Sequence, residues 1–159
     1  MGLTVLGIDP GLQRTGYAVI EYHGKSVKLK EAGVLTTNGK DPLEIRLNTI
    51  SESLEEILNE FQPDSMVVEK LYSHFNHPQT AVVMGHARGI ILKCAAGHCI
   101  PVISYASTRI KKSVTGNGRA SKSQVQRSVT SILKLDEVPE PPDVADAIAV
   151  ALCHIEAAR

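Results

Sequence analysis

The sequence predicts an α/β fold: one domain over residues 1–159, with a mixed five-stranded sheet of three antiparallel strands plus two parallel ones, flanked by helices. Three observations predict it. Five short apolar runs are bounded by turn residues, which fits buried strands rather than helices. From the third strand onward such runs alternate with segments whose apolar residues recur at helical spacing. A chain of 159 residues is also the length of one ordinary domain, enough to bury a continuous core.

The first strand is Leu3 to Ile8, closed by Asp9-Pro10-Gly11. Gly16 to Tyr22 is the second, His23-Gly24-Lys25 a turn, and Ser26 to Thr36 the third, so the three form an antiparallel meander. Asp41 is placed to cap the first helix, with Pro42 in its first turn and Glu44 three residues after the cap. Ile45, Leu47, Ile50, Leu54, Ile57, Leu58 and Phe61 keep the helical period until Gln62-Pro63. Ser65 to Glu69 is a fourth strand, residues 70–77 a polar, histidine-bearing loop, and Pro78 opens a helix to about Gly97. Pro101 to Tyr105 is the fifth strand. Ser107 starts a short helix that stops before Gly116-Asn117-Gly118, and Ser121 caps the next, to Leu135. Pro139 to Pro142 breaks the chain before a last helix from Asp143 to Ala158. Strands four and five are each reached through a helix, which makes them parallel additions to the meander.

Composition narrows the function. Apolar residues make up 43% and charged residues 21%, which excludes disorder and low complexity. No apolar run reaches the length of a membrane span, and the N-terminus lacks the basic start of a signal peptide. Cys94, Cys99 and Cys153 form no C-x-x-C pair, so a reducing cytoplasm is the expected location and a cysteine zinc site is not expected. The net charge of zero conceals an uneven distribution. Residues 1–69 carry six Lys/Arg and eleven Asp/Glu, residues 70–135 ten Lys/Arg and no acid, and residues 136–159 one Arg and six acids. A long acid-free stretch with dispersed cations suits a folded surface for a polyanion, nucleic acid being the commonest.

Four acids fall at element ends. Asp9 ends the first strand and Glu69 the fourth, strands that are neighbours in this topology, and ligands gather at the carboxyl ends of such strands. Asp143 and Asp146, spaced i, i+3, share one face of the last helix. Asp143 also stands where an N-cap belongs, and Asp9 before Pro-Gly is a common turn residue. Asp146 lies in a helix apolar nearly all round, so its carboxylate needs a partner. Four acids converging on one cleft repel one another, and Mg²⁺ or Mn²⁺ resolves the conflict better than zinc. Two such ions serve phosphodiester hydrolysis.

The motifs Gly7-Ile8-Asp9-Pro10-Gly11, Thr15-Gly16-Tyr17, Val67-Val68-Glu69 and Gly85-His86-Ala87-Arg88-Gly89 together resemble the RuvC family of bacterial Holliday junction resolvases. Ser121-Lys122-Ser123-Gln124-Val125-Gln126 and Asp143-Val144-Ala145-Asp146-Ala147-Ile148-Ala149 extend the match over nearly the whole chain. The resemblance implies an RNase H-like fold. It implies a homodimer that uses two metal-dependent sites to nick opposed strands of a four-way DNA junction in recombination and DNA repair, leaving 5′-phosphate ends. Asp9, Glu69, Asp143 and Asp146 match the family's catalytic and metal-holding acids, with two Mg²⁺ per site. Tyr72 matches an aromatic that stacks on bases at the opened crossover, with Phe75 three residues on. Lys111 and Lys122 match cations near the scissile phosphate, while Arg109, Lys112, Arg119 and Arg127 belong to the same acid-free stretch and are expected to track the duplex arms. The helix bearing His86 and Arg88 is the family's dimer contact, and the RuvA-RuvB branch-migration complex is an implied partner. His154, on nearly the same helix face as Asp146, is expected to be packed rather than catalytic.

Other readings fit parts of the pattern. An RNA-acting nuclease of the YqgF type shares the first Asp-x-Gly motif but lacks the Ser-Lys-Ser-Gln-Val-Gln segment. An actin-like ATPase shares the spacing from Asp9 to Gly16 but needs two such domains. A junction-binding module without catalysis would gain nothing from four acids beside DNA.

Overall fold

A computed structural model describes residues 2–72 and 76–158. Its elements run β1 (Leu3–Asp9), β2 (Arg14–His23), β3 (Ser26–Thr36), α1 (Leu43–Phe61), β4 (Ser65–Glu69), α2 (Pro78–Gly97), β5 (Val102–Tyr105), α3 (Ser107–Thr115), α4 (Lys122–Leu133) and α5 (Pro142–Ala157). The sheet order is β3-β2-β1-β4-β5. β1 pairs antiparallel with β2 and parallel with β4, β2 pairs antiparallel with β3, and β4 is parallel to β5. The mixed sheet is therefore the one that the element order predicts.

β1 is buried on both faces, as a central strand must be. Leu6 and Ile8 join Val19, Leu54, Leu58, Met66 and Ile91 in a core beneath α1 and α2. Val5 joins Ala18, Ile20, Val67, Ile148 and Val150 in a second core, beneath α3, α4 and α5. α5 lies directly on the sheet. A Cβ on Gly7 would meet the Ala147 carbonyl at 2.3 Å, and one on Gly16 would meet the Asp143 carbonyl at 2.1 Å. The absence of side chains at these two strand positions lets the helix backbone approach, and this brings its acidic first turn beside the end of β1.

Three helix boundaries differ from the sequence reading. Asp41 does not cap α1: Pro42 occupies the cap with no side-chain bond, and the Asp41 carboxylate instead accepts weakly from Asn38 Nδ2 at 3.4 Å. A residue before proline is pushed out of the helical region, so the turn ends at Asp41 and the helix begins beyond Pro42. Nor does Asp143 cap α5. Pro141 is the cap residue and Pro142 the first helical one, which places Asp143 inside the first turn. α4 stops at Leu133 rather than Leu135, because Lys134 turns left-handed (φ 52°) and the Leu135 amide donates back to the Thr130 carbonyl. Its start agrees with the sequence. Gln124 N donates to Ser121 Oγ at 3.2 Å, and Ser121 N to Gln124 Oε1 at 2.7 Å.

Candidate active site

Asp9 and Glu69 emerge side by side because β1 and β4 are parallel neighbours that end together. The loop after Asp9 is held by Thr15, whose hydroxyl donates to the Gly11 carbonyl at 2.6 Å. Asp143 and Asp146 face the same place from α5. Burial, and then the carboxylates of Asp146, Glu69 and Asp143, push the Asp9 carboxyl up to about 8, with Lys122 acting against them. Burial raises Glu69 as well; a hydrogen bond from the Ser107 hydroxyl and the charges of Lys111 and Lys122 oppose it, while Asp146 adds to it. Asp146 is raised by burial, against the pull of Lys122 and Lys111. Four acids and two lysines from five elements thus share one electrostatic centre.

The donor set is all oxygen and its members disfavour one another's charge, which fits hard divalent cations. Among the described residues, no three His, Cys, Asp or Glu side chains form a ready cage for a single ion.

Beside the acids lies a cleft of about 300 Å³, walled by Asp9, Glu69, Tyr72, Met84, Arg88 and Ser107 among others. Tyr72 is 56% exposed at its rim and does not fold back onto the core. Phe75 and His74 lie outside the described residues. Lys122, the first residue of α4, is positioned by the Ser121 capping box. Arg119 and Arg127 are exposed. Arg109 and Lys112 point elsewhere: the Arg109 guanidinium lies 4.6 Å above the Tyr105 ring, and both residues border a separate cavity with Cys153 and Glu156. His154 is packed, as expected, with its Nδ1 3.0 Å from the Tyr105 hydroxyl.

Two cleft residues were not singled out as site residues by the sequence reading. Ser107 is an ordinary helix-start serine until β5 carries it beside Glu69. Arg88, assigned by resemblance only to a dimer helix, lines the cleft and donates from Nη2 to Ser104 Oγ at 2.9 Å. An arginine among small and apolar neighbours in α2 was the available signal.

Comparison with known proteins fits this geometry. The family model for crossover junction endodeoxyribonuclease RuvC matches residues 5–154. The crossover junction endodeoxyribonuclease RuvC of Rhodopirellula baltica is 51% identical over 149 residues, covering 94% of this chain and 84% of that protein. That of Desulforamulus reducens is 45% identical over 154 residues, covering 97% and 94%. The solved structure of T. thermophilus RuvC in complex with Holliday junction substrate superposes with a TM-score of 0.91 at 33% identity, covering 99% of this chain and 95% of that one. The yeast mitochondrial resolvase Ydc2, 15% identical with a TM-score of 0.67, shares the fold. With its four acids at the ends of β1, β4 and α5 and relatives that match it along nearly its whole length, this chain belongs to the RuvC family of crossover junction endodeoxyribonucleases.

Proposed function

We propose that this protein is a Holliday junction resolvase, a single nuclease domain over residues 1–159 that nicks two opposed strands of a four-way DNA junction in recombination and DNA repair. The observation that carries it is the convergence of Asp9, Glu69, Asp143 and Asp146, flanked by Lys111 and Lys122 and opening beside an exposed aromatic.

Mg²⁺, with Mn²⁺ as a substitute, supplies water activation and stabilisation of the leaving oxygen when two ions are bound. Asp9 would serve both ions, Glu69 one, and the α5 pair the other. Lys111 and Lys122 neutralise the scissile phosphate, which otherwise meets four acids. Tyr72 offers a ring on which a base of the opened crossover stacks, a contact worth about 1–3 kcal/mol. Hydrolysis leaves 5′-phosphate and 3′-hydroxyl ends.

Two opposed nicks need two sites, and α2 supports a homodimer. The helix is apolar with little sidedness, yet Val82 is 62% and Val83 38% exposed on it. A helix apolar on all sides wants cover on all sides, and a second copy provides it symmetrically. A monomer in sedimentation at working concentration would sink this assembly. A cytoplasmic location and association with the RuvA-RuvB branch-migration complex complete the reading.

The deciding experiment compares a synthetic four-way junction with a linear duplex of the same arm sequences. Symmetric nicks in the junction alone, present with Mg²⁺ and absent with EDTA, are expected. Equal cutting of the duplex would reduce the protein to a general nuclease.

A further inference from the structure

β3 is an outermost strand of the sheet, and among the described residues no strand pairs with its outer edge. A long open edge invites another strand, and proteins guard such edges with bulges and charge. The guard on β3 covers only its first half. Val19 pairs with Glu31 and Ile20 with Leu29, so Lys30 is the extra residue of a bulge. Lys28 and Lys30 are exposed beside it, and Lys30 Nζ lies 3.2 Å from Glu21 Oε1. The second half, Ala32-Gly33-Val34-Leu35, has neither bulge nor charge.

An open groove of about 690 Å³ runs along this edge. The six consecutive strand residues 29–34 border it, so it follows the backbone edge rather than one face of the strand. Six residues span about 20 Å, the length of an ordinary strand. Leu29, Val34, Val138, Val144 and Ile148 give the groove an apolar lining, and Val138 is 45% exposed. The far wall is the segment 135–140 between α4 and α5. Gln126 Nε2 holds that segment, donating to the Pro139 carbonyl and to Glu140 Oε1, both at 3.1 Å, so the wall is formed in advance. The segment carries Asp136, Glu137 and Glu140 and no cation. Lys30, the one cation that lines the groove, is already paired with Glu21, and Glu31 accepts from the Tyr17 hydroxyl at 2.8 Å.

We propose that the groove receives an extended basic segment of a partner protein, which adds to the β3 edge as a sixth strand. Main-chain hydrogen bonds to β3 supply the affinity of such an addition, and the groove lining selects the side chains. Apolar residues of the segment cover Leu29, Val34 and Val138, and its lysines or arginines face the three acids. Those acids decide against two other occupants. A nucleic acid would bring phosphates to a wall of carboxylates. A second copy, pairing β3 with β3 about a two-fold axis, would bring a second set of the same three acids to the groove. The proposal does not depend on the resolvase reading, and its test reads binding alone.

The probe is a short fluorescein-labelled peptide of alternating valine and lysine, titrated with the wild-type protein and read by anisotropy. Saturable binding is expected. A glycine–lysine peptide of the same charge should bind at least about tenfold more weakly, since it lacks the apolar side chains. The double variant Asp136→Lys with Glu137→Lys, at a wild-type Tm, should bind the valine–lysine peptide about tenfold more weakly and take a valine–glutamate peptide in its place. Two further peptides test strand addition on the unaltered protein, one methylated on every valine amide and the other on every lysine amide. Alternate amides of a strand face opposite neighbours, so one of the two should lose binding and the other keep it. No binding of the valine–lysine peptide overturns the proposal, and equal binding of the glycine–lysine peptide overturns it as charge attraction alone. An unchanged affinity in the double variant, or a like response to the two methylated peptides, overturns it as well. If the double variant fails to fold, the methylated peptides decide. Wild-type self-association that the peptide dissolves would put a second copy in the groove and overturn it too.

Discussion

Buried among three other carboxylates, Asp9 holds its proton to about pH 8, against an ordinary value of 3.8. The folded protein therefore binds more protons than the unfolded chain between those values. The stability this group contributes is present below about pH 4 and is lost as pH rises toward 8. Without divalent ions the Tm should fall over that range, by the equivalent of a few kcal/mol at about 1.4 kcal/mol per unit. Asp9→Asn should flatten the decline, and Mg²⁺ at pH 8 should raise the wild-type Tm. Thermal scans at several pH values read both; an equal slope in Asp9→Asn would refute the burial. Nicking assays test the same acids chemically. Asp9→Asn, Glu69→Gln, Asp143→Asn and Asp146→Asn should each slow cleavage by about 10²–10⁴-fold, the loss of several kcal/mol of metal-borne stabilisation, while junction binding holds or tightens. Asp143 is the informative member. With Pro141 in the cap position, a capping role no longer accounts for it, so Asp143→Asn should lose activity with little change in Tm. If Tyr72 stacks on a base as proposed, its ring and not its hydroxyl should be needed. Tyr72→Phe should cut intact junctions normally and Tyr72→Ala poorly, and mismatches that pre-open the crossover should partly rescue the latter. Wild-type cutting of intact junctions by Tyr72→Ala would remove the stacking role.

At the scale of elements, α5 sets the site, and two strand glycines set α5. Gly16→Ala would drive a Cβ into the Asp143 carbonyl. Because backbone cannot yield as a side chain tip does, a loss of about 1–3 kcal/mol is expected. The same shift displaces Asp143 and Asp146, so cleavage should fall further than stability explains; denaturant melts and nicking rates on one preparation separate the two. Strands, helices and their order were legible because period-2 and period-3.6 patterns are local. Asp9 and Glu69 could be placed together from the sequence because they end strands that the topology makes neighbours, and Asp146 stood out as an acid inside an apolar helix. The capping residues at Asp41 and Asp143 were misread for one reason: an adjacent proline moves the start of a helix, and proline and aspartate compete for the same few positions. Ser107 and Arg88 were not legible as site residues, since only the parallel placement of β5 beside β4 brings α3 and Ser104 to the cleft.

Over the whole molecule, the basic stretch offers cations in two settings. The charges of Lys111 and Lys122 act on Glu69 and Asp146, and Arg119 and Arg127 lie exposed in the same stretch. Lys111→Ala and Lys122→Ala should lower the cleavage rate more than binding. Arg119→Ala and Arg127→Ala should weaken binding on all sequences and reduce its salt slope by about one each. Titrations at several salt concentrations, run beside single-turnover cleavage, separate the pairs; identical behaviour of all four would mean a diffuse surface. The dependence of the acid cluster on α5 also has a consequence for synthesis on the ribosome. β1 and β4 emerge first and bring two acids, and the basic segment follows. The central layer on one side of the sheet, and the other two acids with it, arrive only when α5 has been made. A partly translated chain therefore carries cations that attract DNA but no assembled centre to cut it, so the order of translation itself keeps the nuclease silent until the fold closes.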